Sequence, residues 1–145
     1  MLEKVREWVS KLPPRERTKP IIYFKGKYWT PEEILKEVEK GSKLGEELQK
    51  FLELIAGVLP YSSLGGSSVN LESMFKNVAK KRLIERLKAY MKMFGDVPIL
   101  YAIDLKRITV KPSELIKMIE EERGIGREVL EIEKTKILNL LRLYR

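Results

Sequence analysis

Apolar residues recur at helical spacing through most of this chain, and the stretches between them are short and closed off by proline or glycine. Leu2, Val5, Trp8, Val9 and Leu12 share one face of a helix over residues 2–12, which Pro13-Pro14 ends. Thr30-Pro31-Glu32-Glu33 opens the next helix. Threonine caps it, proline takes its first position, and Glu33 reaches back to complete a capping box. Ile34, Leu35 and Val38 form its apolar stripe, and Gly41 ends it. A third helix, about residues 43–58, aligns Leu44, Leu48, Phe51, Leu52 and Ile55 with Leu59. Residues 60–68 read as an irregular loop. The stretch 70–94 is helical, but its apolar face turns by roughly a third of a turn between Leu71, Met74, Phe75, Val78 and Leu83, Leu87, Tyr90, Phe94. That shift predicts a kink or break near residues 77–80.

Pro112-Ser113 starts a further helix through Glu122, Gly124-Ile125-Gly126 breaks it, and residues 127–144 form the last one. Two short β hairpins interrupt the helices. Ile21-Ile22-Tyr23-Phe24 turns through Lys25-Gly26-Lys27 into Tyr28-Trp29. Residues 98–103 turn through residues 104–107 into Ile108-Thr109-Val110. The expected fold is mainly α, of the α+β kind: a helical domain of about five to seven helices with one or two short β hairpins, in one domain over residues 1–145. No internal repeat or low-complexity tract is expected.

The chain contains neither cysteine nor histidine. That excludes disulfides, thiolate nucleophiles, imidazole bases, ordinary zinc sites and cysteine-held iron–sulfur clusters. Asp96 and Asp104 are the only aspartates, which argues against a paired-aspartate magnesium site. The expectation is a chain that is not an enzyme by itself and carries no metal or cofactor. Glutamine and asparagine are scarce beside abundant Lys, Glu and Arg, the composition of a hot-adapted protein. No apolar run approaches the roughly 20 residues of a membrane span, and the first residues lack the pattern of a secretory signal. A soluble, cytoplasmic protein with no membrane partner is expected.

The formal net charge is +8, and it is concentrated. Residues 76–92 carry Lys76, Lys80, Lys81, Arg82, Arg86, Lys88 and Lys92 against the single acid Glu85. On a helix, Lys81, Lys88 and Lys92 lie along one side with Arg82 and Arg86 beside them, a face suited to phosphates. A second candidate is Lys25-Gly26-Lys27 flanked by Tyr23, Phe24, Tyr28 and Trp29, where rings can stack on unpaired bases while lysines hold the backbone. The same rings can instead fill the core. A third arrangement, residues 113–122, 123–126 and 127–137, has the outline of a helix-turn-helix, although an ordinary helical hairpin fits it better.

Pro31-x-x-Ile34, then Gly41-x-x-Leu44, then Phe51-Leu52 and an apolar run to Leu59 resembles the C-terminal domain of archaeal and eukaryotic primase large subunits. That domain normally holds an iron–sulfur cluster on four cysteines. The chain is similar, in its lack of cysteines and in its size, to the noncatalytic third subunit of some hyperthermophilic archaeal primases. The resemblance implies a nucleic-acid-processing accessory subunit that binds single-stranded DNA or a nucleotide triphosphate and works with the catalytic and large primase subunits. Where that family has a histidine and an arginine on the second helix, Glu46 and Gln49 or Lys50 stand here. Two alternatives of other classes remain: a helix-turn-helix-like DNA-binding regulator of a mobile element, and an assembly protein docking through its apolar last helix.

Overall fold

Proline and glycine set most of the element borders. The computed structural model describes residues 2–58, 69–103 and 105–144. The expected loop at residues 60–68, Leu59 and Asp104 of the second hairpin turn lie outside the described residues. In chain order the elements are α1 (Leu2–Lys11), a short 3-10 turn (Pro14–Glu16), β1 (Ile22–Phe24), β2 (Lys27–Trp29), α2 (Pro31–Glu39) and α3 (Lys43–Val58). These are followed by α4 (Val69–Phe94), β3 (Ile99–Ile103), β4 (Lys106–Val110), α5 (Pro112–Glu120) and α6 (Ile125–Arg142). The fold is mainly α with two antiparallel hairpins, as expected. No helix among the described residues is long and apolar enough to cross a membrane.

The chain gathers into two compact units, Met1–Val78 with Lys134–Arg145, and Ala79–Glu133. The borders fall inside α4 and α6. In the first unit, Val5, Trp8, Leu12, Ile22, Ile34, Leu48 and Leu52 are buried with Ile137, Leu141 and Tyr144. Trp8 Nε1 donates to the Leu140 carbonyl at 2.9 Å, and its ring meets Tyr144 edge-on. The apolar face of residues 137–144 is thus used inside this unit. The change of apolar face along α4 coincides with the unit border: Met74, Phe75 and Val78 are buried before it, Leu83 and Leu87 after it. The helix runs continuously through residues 77–80, so the break expected there as one alternative is absent. The second stripe fades beyond Leu87, with Tyr90 half-buried and Phe94 exposed.

The two units repeat one motif, against the expectation of no repeat. Each has a hairpin with a two-residue loop, one connecting residue, a proline-initiated nine-residue helix, a turn and a longer helix. From Trp29/Val110 through Leu52/Glu133 the two copies align without a gap, with identities at Pro31/Pro112, Glu33/Glu114, Lys36/Lys117, Glu39/Glu120, Gly45/Gly126 and Glu47/Glu128. Ile34/Leu115, Val38/Ile119 and Leu48/Val129 are buried pairs. Gly41 and Glu122, at equivalent turn positions, both adopt positive φ, 68° and 53°. The hairpins differ in length: Ile22 pairs with Trp29 and Ile99 with Val110, but the second copy has five residue pairs and the first has three.

The equivalent glycines Gly45 and Gly126 explain the helical hairpins. A Cβ on Gly45 would strike the Glu37 carbonyl, and one on Gly126 the Met118 carbonyl, the same backbone position in each copy. Gly126 therefore does not break α6; it lies within it and lets α5 approach. The helix starts are equivalent too, but reached differently. Thr30 and Glu33 make the expected capping box, at 3.1 and 2.9 Å. Lys111 provides no side-chain cap for α5, and Asp96 takes that role, accepting from Ser113 N at 2.9 Å and Ser113 Oγ at 2.5 Å.

Alanine at Gly45 or Gly126 should destabilise the protein by about 1–3 kcal/mol through overpacking, despite alanine's higher helix propensity. Gly57, also in α3 but with open space around it, is the control: Gly57→Ala should be neutral or stabilise by up to about 1 kcal/mol. Urea unfolding of the three variants checks this, and a Gly126→Ala protein as stable as the parent would show that the helices do not touch there.

Candidate nucleic-acid interface

Most of the expected basic residues are already engaged by carboxylates of their own unit. Arg82 is 2% exposed, and its Nε donates to Glu133 Oε2 at 2.8 Å. Arg86, at the surface, donates Nη2 to the same oxygen at 3.0 Å. Burial pushes the Glu133 carboxyl upward, and the bonds and charges of the two arginines more than offset that, holding it below the ordinary glutamate value. Arg82 therefore faces inward, not along the expected phosphate-binding side. The reason is geometric: it lies one residue from Leu83 and shares the buried face of α4. Lys80 pairs with Glu122 at 2.9 Å and Lys81 with Glu85 at 2.9 Å. Lys76 is half-buried in the first unit.

The first hairpin is likewise committed. Lys25 pairs with Glu47, whose carboxyl it holds below its ordinary value. Lys27 pairs with Glu33 at 3.3 Å and lies over the Trp29 ring at 4.1 Å. Trp29 is 5% exposed and donates Nε1 to the Phe24 carbonyl. Tyr28 is half-buried, edge-on to the exposed Tyr23. Of these four candidates, only the lysine heads and part of Tyr28 meet solvent.

Lys88 and Lys92 remain. They sit one turn apart on α4, both exposed, and no carboxylate pairs with either among the described residues. The structure adds residues that the sequence reading passed over. Lys106 and Arg107 on β4 are exposed and likewise have no ion-pair partner among the described residues, whereas Lys111 after them lies in the field of the Asp96 carboxylate. Arg107 stands opposite Ala102, and beside it Thr109 stands opposite Leu100, making an exposed outer hairpin face. Leu100 is 60% exposed, Leu105 at the tip is fully exposed, and Phe94 at the end of α4 is 58% exposed. The two pairs by which the second hairpin exceeds the first, Ala102 with Arg107 and Ile103 with Lys106, carry Lys106 and Arg107 towards its tip. The signal available in the sequence was Lys106-Arg107 next to Leu105, a cationic tip where a turn would ordinarily be wholly polar.

The positions matching the primase-family helix also gather. Glu46, Gln49 and Lys50 line, with Glu53, a cavity of about 380 Å3 along α3. Glu53 accepts from Lys4 at 3.3 Å and from the Tyr144 hydroxyl at 3.1 Å. Two of these four described lining residues are carboxylates, which disfavours a triphosphate there. Comparison with protein-family models, curated proteins and solved structures finds no match to the chain.

Removing one partner of the buried cluster strands a charge. Glu133→Leu alone should cost about 3–5 kcal/mol, whereas Arg82→Met with Glu133→Leu should bring stability at neutral pH back to within about 1–2 kcal/mol of the parent. The depressed pKa of Glu133 adds a pH signature. Its contribution is fully present above the ordinary glutamate pKa and is lost as pH falls through the lower folded value. The double variant should thus show a shallower acid limb in a plot of unfolding free energy against pH; an unchanged limb would place the acid sensitivity elsewhere.

Proposed function

We propose that the chain is a noncatalytic accessory subunit in nucleic-acid processing, most concretely of a DNA primase, and that it holds single-stranded template through its second unit. The observation that carries this reading is the set of exposed cations Lys88, Lys92, Lys106 and Arg107 of the second unit, none paired with a carboxylate among the described residues, in a unit that also exposes Phe94, Leu100 and Leu105. Cations that neighbouring carboxylates do not neutralise remain available to backbone phosphates, and apolar or aromatic faces beside them suit unstacked bases. The first hairpin gives the contrast, since its lysines are paired by Glu47 and Glu33. The acidic lining of the α3 cavity favours the template strand over the initiating nucleotide as the bound species. The primase assignment itself rests on the resemblance at residues 31–59; the polymerising site would belong to the catalytic subunit.

Two measurements test the reading. Added to catalytic and large primase subunits, the chain should raise primer initiation more than elongation, and equal initiation with and without it would sink the primase assignment. Separately, replacing Lys88, Lys92, Lys106 and Arg107 with alanine should make the salt dependence of single-strand binding shallower by roughly 3 units, at about 0.7 per phosphate contact. The pair Lys25→Ala and Lys27→Ala should change that slope by less than about 1. Surface changes of this kind usually shift stability by no more than about 0.5 kcal/mol each, so fold and binding can be separated. A quadruple variant with unaltered slope would assign the charge to the protein's surface alone.

A further inference from the structure

The repeat allows each copy to serve as the control for the other. In the first copy Phe24 on β1 stacks on Phe51 of α3, with ring centroids 4.8 Å apart, over the fully buried Leu52. Counting along β1 and β3 from the paired residues Ile22 and Ile99, Phe24 corresponds to Tyr101. Along the helices, Phe51 and Leu52 correspond to Ile132 and Glu133. These three replacements occur together, and where they occur the second copy holds a cavity of about 240 Å3. Its aliphatic walls include Leu83, Leu87, Leu115 and Val129. Arg86, Tyr101, Ile132 and Glu133 line it as well.

The scaffold does not need this chemistry, because its first copy has two stacked rings and a buried leucine at the same positions. A buried carboxylate with two arginines gives no clear stability gain over a well-packed apolar filling. The polar groups also converge on the open space. Arg86 donates one of its five N–H groups to Glu133 and keeps the rest for other acceptors. The Tyr101 hydroxyl makes no hydrogen bond among the described residues, and burial raises its pKa, so it stays a donor at neutral pH. Glu133, the carboxylate at the wall, is shared between Arg86 and the buried Arg82, so Arg86 is not its sole counter-charge. An apolar chamber with a cationic donor group at its wall matches an anion carried on a compact apolar body.

We propose that this cavity binds a small organic monocarboxylate, its carboxylate held by Arg86 and the Tyr101 hydroxyl and its apolar body packed among Leu83, Leu87, Leu115 and Val129. The proposal is independent of the nucleic-acid reading.

Methyl-resolved NMR of the intact chain tests it, with acetate, isovalerate and phenylacetate as carboxylates of increasing apolar bulk and phenylacetamide as the neutral counterpart. Isovalerate or phenylacetate should shift the Leu83, Leu87, Leu115 and Val129 methyls saturably at millimolar concentration. Acetate should bind more weakly than either, and phenylacetamide at least about tenfold more weakly than phenylacetate, which is about 1.4 kcal/mol. Arg86→Gln leaves Glu133 its bond to Arg82 and should also lose about tenfold or more. Writing the first copy's rings into the second, with Tyr101→Phe and Ile132→Phe together, should abolish the shifts while leaving the protein folded. The proposal is overturned if none of the three carboxylates shifts these methyls, if the acid and the amide bind equally, or if Arg86→Gln or the ring-filled variant binds phenylacetate as the parent does.

Discussion

Two helices that cross within backbone contact can carry no side chain at the crossing. Gly45 and Gly126 meet that demand at equivalent points, each against the carbonyl of the same residue of the preceding helix. Because the helices approach so closely, the residues one turn on, Leu48 and Val129, reach the interior of their units, and Val38 and Ile119 are covered from the other side. The turn before the crossing must then reverse the chain in few residues, which explains the left-handed backbone at Gly41 and at Glu122. Glu122 adopts that conformation without being glycine, and its carboxylate pairs with Lys80 of the same unit. The strain is of the order of 1 kcal/mol for a non-glycine residue, comparable in size with what an ordered ion pair can return.

With the crossing settled, the two copies diverge in how they treat charge. The first hairpin is short and turns its lysines onto Glu33 and Glu47, which belong to the helices that follow it. The second is longer, so the cations at its tip stand beyond carboxylates of that kind. An extra two residue pairs of strand is a small change in sequence. Its consequence is electrostatic: neutralised lysines become available ones. A scaffold used twice in one chain can thus keep one copy closed while the other exposes cations.

Much of this fold was legible in the sequence, for reasons that are local. The capping box at Thr30 and Glu33, the proline starts and the β-branched hairpin strands depend on neighbours only a few residues away. What was not legible depends on partners far along the chain. The shifted apolar face of α4 looked like a break because the two stripes face different units. Arg82 looked like a phosphate ligand because nothing near it in sequence shows that Glu133 awaits it. The cap of α5 was hidden because Asp96 lies across a whole hairpin from Ser113. The repeat escaped because Gly41 is matched by Glu122, and because unequal hairpins break the alignment before Trp29 and Val110. At the candidate interface, Lys88 and Lys92 were readable from helical spacing; Arg107 required the register of β4, which sets it on the outer face.

The inward turn of Arg82 also changes how the basic segment of α4 should be understood. A buried arginine must be matched by a buried carboxylate, and Glu133 meets that need at a position where the first copy is content with Leu52. Once Glu133 is there, Arg86 is drawn to the same oxygen, and one of its N–H groups is taken up by the cluster. The charge density that singles out residues 76–92 is therefore two features superimposed. One is an internal ion cluster whose outer guanidinium borders a cavity; the other is the pair of exposed lysines Lys88 and Lys92. Helical periodicity alone merges them, because residues 82, 86, 88 and 92 all fall within about half of the helix circumference, and burial is what separates them.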